Sequence, residues 1–229
     1  MDVKGGVVGL SSGTLFLAAT QAAQRTSTEV GPRDPQPGVD PIVAVAFSAM
    51  AVEAFVNEGT YYFRAAQGPG IWELRDLAKN LEQSESNRDT ILGKMLLWQE
   101  ATARQSLFGQ QPFQDFQVLV DVRNALVHLR PDVFDLVAEA DGIAHRAVGV
   151  DRPPLKRLRA KKVLAAVQDL TTTGLISAIN TRAMAIWSCK IAHDTVAALI
   201  GLVPKGSSTI EPGGTLSHTH LTWQLPDFQ

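Results

Sequence analysis

Hydrophobic positions recur at three- and four-residue spacing along most of the chain, the period of helices with one packed face. Between Trp72 and Gln83, Leu74, Leu77, Ala78 and Leu81 mark such a face. From about Arg88 to Leu107 the packing positions are Ile91, Met95, Leu96 and Trp98, after a polar break at Ser84 to Asn87. From Phe113 to Leu129 the same period runs through Phe116, Leu119, Val120, Val122, Ala125 and Leu126. Two longer segments are different. Pro41 to about Ala66 is dominated by alanine, and Thr172 to about Leu202 is apolar on most sides, through Leu175, Ile179, Met184, Trp187, Ile191, Val196 and Leu199. A helix apolar nearly all round is buried centrally or lies in a subunit interface. The alanine-rich run Thr14–Gln24 supports one more helix, capped from Ser11–Thr14.

The breaks between these segments are equally clear. Residues 31–41, GPRDPQPGVDP, carry four prolines and two glycines and exclude regular structure up to Asp40-Pro41, which reads as a helix start. Gly68-Pro69-Gly70 ends the helix that follows, and Pro131 stops the central one. Asp132–Asp141 fits a short further helix, and Gly142–Pro154 reads as loop. The basic run beyond it leads into a helix ending near Leu170. Val7, Val8 and Leu10, and Leu221 to Leu225, suit short strands. The expectation is an all-α fold, a bundle of about five to seven helices over residues 41–204. An N-terminal extension (1–40) and a loose tail (205–229) flank it.

Size and charge narrow the function. A chain of 229 residues makes one good-sized domain. A net charge of −2 gives no global case for nucleic-acid binding, so any such site must be a local basic patch. Arg152, Lys156, Arg157, Arg159, Lys161 and Lys162 form the one clear run. It is either a solvated helix face neutralised by carboxylates or a patch that contacts phosphates. Cys189, the single cysteine, excludes an intrachain disulfide and reads as a buried thiol in a reducing, cytoplasmic setting. No uninterrupted run of 18 apolar residues argues for a membrane span, since Ser48 and Glu53 cut the most apolar stretch. The apolar run Val7–Ala19 only faintly resembles a secretion signal, given Asp2 and the nearby glycines and serines. His218-Thr219-His220 has no carboxylate or cysteine near it, His193 reads as structural or interfacial, and His145-Arg146 falls in a loop. Phosphate loops, dinucleotide fingerprints and zinc modules are absent from the sequence, so neither metal nor cofactor is expected.

The candidate chemistry lies late in the central helix. Asn124 and His128, four residues apart, share a face, and Arg123 is long enough to lean toward it. Arginine grips phosphate oxygens with its planar fork, and a histidine near neutrality moves protons to or from a ribose hydroxyl. The other reading is a helix end at which His128 and Arg130 meet the dipole and the last carbonyls. Glu53, the acidic interior residue of the first long helix, either lies on a solvent-facing edge or pairs with an arginine, or else faces the bundle and orients residues of the central helix.

Arg123-Asn124-Ala125-Leu126-Val127-His128 resembles the R-N-x-x-x-H signature of the HEPN superfamily of all-helical domains. Ala46 to Asn57, with Glu53, is similar to that family's first core helix, and the likeness covers roughly residues 41–200. It implies a homodimer in which the motif helices meet across a cleft as one composite site. It further implies metal-independent RNA cleavage by 2′-hydroxyl attack, leaving a 2′,3′-cyclic phosphate. Under this resemblance His128 is the acid/base group, Arg123 binds phosphate and stabilises its transition state, and Asn124 and Glu53 support them. Arg130 and the basic run extend the RNA-binding surface. Such enzymes serve as toxins, restrained by a protein antitoxin, or in phage defence. Other members keep the fold as non-catalytic interaction or RNA-sensing proteins. This chain departs from the small toxins in its proline-rich N-terminal section, its charged insertion and its tail.

Overall fold

Helix α2, Asp40–Arg64, is the element against which most others pack, including α1 (Ser11–Arg25), α3 (Ile71–Ser86), α4 (Ile91–Ala103), α5 (Phe113–Val127) and α8 (Arg182–Gly201). The structure, a computed structural model, describes residues 11–26, 38–67, 71–128, 153–164, 175–206 and 223–228, together with the backbone of 133–139 and 142–148. Small residues explain the central place of α2. Ala44, Ser48, Ala49 and Ala51 are buried and let neighbouring backbones approach, while Val52, Phe55, Val56 and Phe63 fill the space between. Two short helices, α6 (Pro153–Ala160) and α7 (Leu175–Ile179), complete an all-helical bundle to which one hairpin is added.

The hairpin corrects two expectations. Asp132–Asp141 is not helical and Gly142–Pro154 is not simply loop: β1 (Val133–Glu139) pairs antiparallel with β2 (Gly142–Val148), with Leu136 opposite His145. The stretch VFDLVAE is rich in strand formers, and Asp141-Gly142 is a turn-forming dipeptide. The last long helix also divides. Thr181 leaves the helical path at φ −131°, ψ 151°, and its hydroxyl accepts from the Met184 N–H at 3.2 Å, so it caps α8 and separates it from α7. Helix α4 begins at Ile91 rather than Arg88, because Arg88 takes a left-handed φ of 58° and Thr90 caps the helix through the Gly93 N–H. Helix α3 runs on through Ser84, which is buried and donates to Asp89 Oδ2 at 2.7 Å. Of the strand expected at 221–225, residues 223–225 lack regular structure, and the strand expected at Val7–Leu10 lies outside the described residues.

The helical body also begins earlier and closes later than residues 41–204. Helix α1 buries Phe16, Ala19, Ala22 and Ala23 against α2 and α8. Trp223 is buried as well, stacked on Phe16 with centroids 4.3 Å apart and edge-on to Phe55. One carboxylate pins the start of α1. Glu58, buried in α2, accepts from the Ser11 and Ser12 N–H groups at 2.7 and 2.9 Å, from both serine hydroxyls, and from the Tyr62 hydroxyl at 2.7 Å. At the far end Arg25 pairs with Asp40 at 2.9 Å.

Among described helices α2 and α8 are long and apolar enough to cross a membrane by length and composition, yet each buries half or more of its most apolar window inside the protein. Core helices share that property. In α2, Gly59 is required by a close approach: a Cβ there would lie 2.7 Å from the Trp98 ring and 3.3 Å from Leu81. The Trp98 ring is wedged between Phe55 and Phe63 and has nowhere to move. Gly59→Ala is therefore expected to destabilise by about 1–3 kcal/mol in urea unfolding, although alanine normally favours a helix by about 1 kcal/mol.

Cys189 is buried as expected, and Ser48 donates to its Sγ at 3.6 Å. Burial pushes the thiol up to about 11, against the opposing hydrogen bonds of Ser48 and Ser188. Since the thiolate is the reactive form, a thiol reagent at pH 8 should label Cys189 only after denaturant unfolds the chain. Rapid labelling of the native protein would contradict this burial.

Candidate functional site

Helices α2 and α5 pack against each other, and Val52 and Val56 of α2 and Phe116, Leu119 and Val120 of α5 are buried in the core. Their polar edges then meet at one place. Arg123 Nη2 donates to Glu53 Oε2 at 2.6 Å, and Nη1 donates to Asn124 Oδ1 at 3.0 Å. Successive helical residues point about 100° apart, so the second contact depends on the long arginine doubling back. The Arg123 and Glu53 side chains are 28% and 36% exposed, an ion pair at the protein surface rather than in its core. Glu53 thus pairs with an arginine at the solvent edge, the plainer of the readings the sequence allowed.

A groove of about 240 Å³ opens beside this pair, walled by Glu53, Asp89, Thr90, Asp121, Arg123 and Asn124 over an apolar floor that includes Ala49 and Val120. The start of α4 forms one wall. Asp89, Thr90 and Asp121 were not candidates in the sequence. The Thr90–Gly93 cap is a local signal for the start of α4, but no spacing joins it to α5.

His128 stands apart from this constellation. Helix α5 stops at Val127, two residues before the expected end. His128 is its exposed C-cap at φ −104°, ψ 43°, held by a backbone N–H bond to the Asn124 carbonyl at 3.0 Å. It is not among the residues that line the groove. The structure therefore gathers Glu53, Arg123 and Asn124 and leaves His128 at the adjoining helix end. Arg130 and Arg152 lie outside the described residues.

The reading of the basic run as a face neutralised by carboxylates holds for two of its residues. Helix α6 lies on α5, where Arg157 pairs with Asp121 and Lys161, just beyond the helix, pairs with Asp115. Those two charges are neutralised. Lys156, Arg159 and Lys162 are exposed on the same short segment, and Asp121 belongs also to the groove wall, so this basic edge borders the Arg123 site.

A further cation belongs to the same region. Lys94 of α4 is buried, donates to Asn57 Oδ1 at 2.8 Å and pairs with Glu85 of α3. Burial lowers its pKa from the ordinary lysine value, and the negative charge of Glu53 partly opposes that shift. A larger cavity of about 740 Å³ between α2 and α3, lined by Asn57, Glu58, Tyr61, Arg64, Glu82 and Glu85 among others, lies on the other side of this lysine's partners and contains no motif residue. Arg64 and Glu82 pair within it at 2.7 Å.

Of the remaining histidines the described one, His193, adds no second site, and the His145-Arg146 side chains lie outside the described residues. His193 Nδ1 lies 3.0 Å from Asp194 Oδ1, a contact between sequence neighbours that helix geometry alone disfavours, and Lys190 donates to Asp194 Oδ2 at 2.7 Å. Burial acts to raise the Asp194 carboxyl, but hydrogen bonds and charge from Lys190 and His193 hold it below its usual value. The His193 ring centroid is 6.5 Å from that of Phe16, consistent with a structural role. His218 and His220 fall outside the described residues, among which no group of three or more His, Cys, Asp or Glu is placed to hold a metal ion. The chain matches no family model, no curated protein and no solved structure.

Proposed function

We propose that this protein is a metal-independent endoribonuclease of the HEPN kind, acting as a homodimer. The observation that carries the reading is the surface placement of Arg123, aimed by Glu53 and Asn124 at the edge of an open groove. A guanidinium has five N–H donors, and these two contacts leave three for a phosphate. His128, exposed one turn away, supplies the proton chemistry. One His128 takes the proton from a ribose 2′-hydroxyl, whose oxygen forms a bond to the adjacent phosphorus. As the phosphorus–5′-oxygen bond breaks, His128 of the partner subunit gives that oxygen a proton. Arg123 stabilises the extra negative charge in between. The products are a 2′,3′-cyclic phosphate and a 5′-hydroxyl.

A second copy has an apolar face to pack on. Val39 (the N-cap of α2), Met50 and Tyr61 are exposed at eleven-residue intervals, which turns each about 20° from the last and spreads the three over about 40° of α2, and Val127 is exposed beside His128. Lys156, Arg159 and Lys162 supply the local basic patch that a chain of net charge −2 needs. A cytoplasmic toxin or phage-defence role, with a protein antitoxin as restraint, is the biological setting that accords with such chemistry.

One observation favours a different reading. Glu53 already neutralises Arg123, and His128 lies outside the groove, as suits a non-catalytic RNA-sensing or interaction protein. Incubation of the purified protein with mixed RNA in a metal chelator separates the two. Fragments ending in 2′,3′-cyclic phosphate are expected from the nuclease, and intact RNA would leave the sensing role.

A further inference from the structure

We propose that Lys94 is a positioning residue of the Arg123 site, acting through Glu53 to set how tightly the carboxylate holds the guanidinium. The functional consequence rests on reading Arg123 as the phosphate-binding group, whereas the positioning itself does not.

The argument starts from an oddity of burial. Lysine is almost never fully buried unless paired. The Lys94 side chain is 6% exposed, yet its ionic partner Glu85 is 62% exposed. A solvated carboxylate is a weak reason to bury an ammonium, because exposed partners contribute little. The other direct contact, Asn57, is neutral. Asn57 lies one turn beyond Glu53 on α2, and residues four apart on a helix are neighbours. Lys94 is itself one turn beyond Thr90 and Ile91, both of which line the Arg123 groove. Glu53 is therefore paired directly with Arg123, while Lys94 is tied through Asn57 to the same face of α2 and acts on Glu53 by its charge rather than by contact. The electrostatic effect of Glu53 on Lys94 accords with that placement.

A carboxylate that lies in the field of a second cation holds its direct partner less tightly than one without it. With Lys94 in place, Arg123 is aimed by Glu53 but released to a phosphate at modest cost. Without that buried charge, Glu53 is left to Arg123 alone, and an incoming phosphate must displace a tighter partner.

The test uses the full chain and two substitutions at one position. Lys94→Met removes charge and hydrogen bond together. Lys94→Gln removes the charge but keeps a donor for Asn57. Both should fold, since Glu85 is already solvated and Asn57 is only half-buried, and circular dichroism checks this. The first readout is the Arg123 Nε–H resonance in nitrogen-15 spectra, assigned by its disappearance in Arg123→Lys. The second is the affinity for a 2′-deoxy-substituted RNA oligonucleotide. Lys79→Met, which removes an exposed charge paired with Asp76, is the control for net charge.

Both Lys94 substitutions are expected to shift the Arg123 resonance and to weaken oligonucleotide binding about threefold or more, the scale on which neighbouring residues couple. In a Glu53→Gln background both effects should vanish, and Lys79→Met should cause neither. An unmoved Arg123 resonance, normal behaviour of Lys94→Gln, or effects that persist in the Glu53→Gln background would overturn the proposal. If the resonance shifts through Glu53 while no variant binds the oligonucleotide, Lys94 still positions Arg123 and the ribonuclease reading fails instead.

Discussion

Glu58→Ala is expected to cost about 3–5 kcal/mol of stability, the sum over several neutral donors that lose their acceptor. Five donors converge on this carboxylate: two backbone N–H groups that begin α1, two serine hydroxyls and the Tyr62 hydroxyl. Alanine leaves them facing a cavity, and a buried donor without an acceptor costs about 1–3 kcal/mol. Tm should fall by roughly 10 °C in a chain of this size. The damage should be local before it is global. With its N-terminal anchor gone, α1 is the first helix to leave, exposing Phe16 and the ring of Trp223 stacked on it. Hydrogen exchange should therefore quicken in α1 well ahead of the α2 and α8 cores. Glu58→Gln should recover part of the loss, since its carbonyl still accepts while its amide turns donors toward donors. Wild-type exchange rates in α1 of the alanine variant would contradict the anchoring role.

The second large effect concerns chemistry alone. His128→Ala is expected to reduce RNA cleavage about 10²- to 10⁴-fold, the usual contribution of a positioned general acid or base. The side chain is exposed at a helix end and described contacts of the residue are made by its backbone, so stability should change by less than about 0.5 kcal/mol. This separation of activity from folding is what makes the variant informative. Arg123→Lys should also fail to restore full activity, because an ammonium cannot reproduce the planar fork that meets Glu53, Asn124 and a phosphate together. A His128→Ala protein that cleaves at the wild-type rate would remove the histidine from the mechanism.

Much of the helical frame was legible from periodicity. Helix α5 begins at Phe113 as expected and stops two residues early, and α2 begins within a residue of the Asp40-Pro41 signal. Glu53 was legible as an acidic residue in an otherwise apolar helix, with an arginine pair among its ordinary readings, but nothing in the local pattern named Arg123 as the partner. Other features depend on contacts that no local pattern encodes. The alanines of α1 look like propensity alone until they are set against those of α2. Trp223 seemed part of a loose tail, and only the gap between Phe16 and Phe55 explains its burial. The α7–α8 break was masked by an apolar pattern that continues through it, although Asn180-Thr181 is a capping pair. The hairpin was lost to ambiguity, since VFDLVAE is too short to settle its period. Lys94 was passed over because a lysine in a helix is normally read as a solvated charge.

The central claim is that Arg123 and His128 direct attack by a ribose hydroxyl on the neighbouring phosphate. Two oligonucleotides test it most directly, both cut at one mapped position, one with ribose and the other with 2′-deoxyribose at the residue whose hydroxyl attacks. In a metal chelator the wild-type protein should cleave the ribose strand to a 2′,3′-cyclic phosphate and leave the deoxy strand intact. Cleavage of both strands, or of neither, would contradict it.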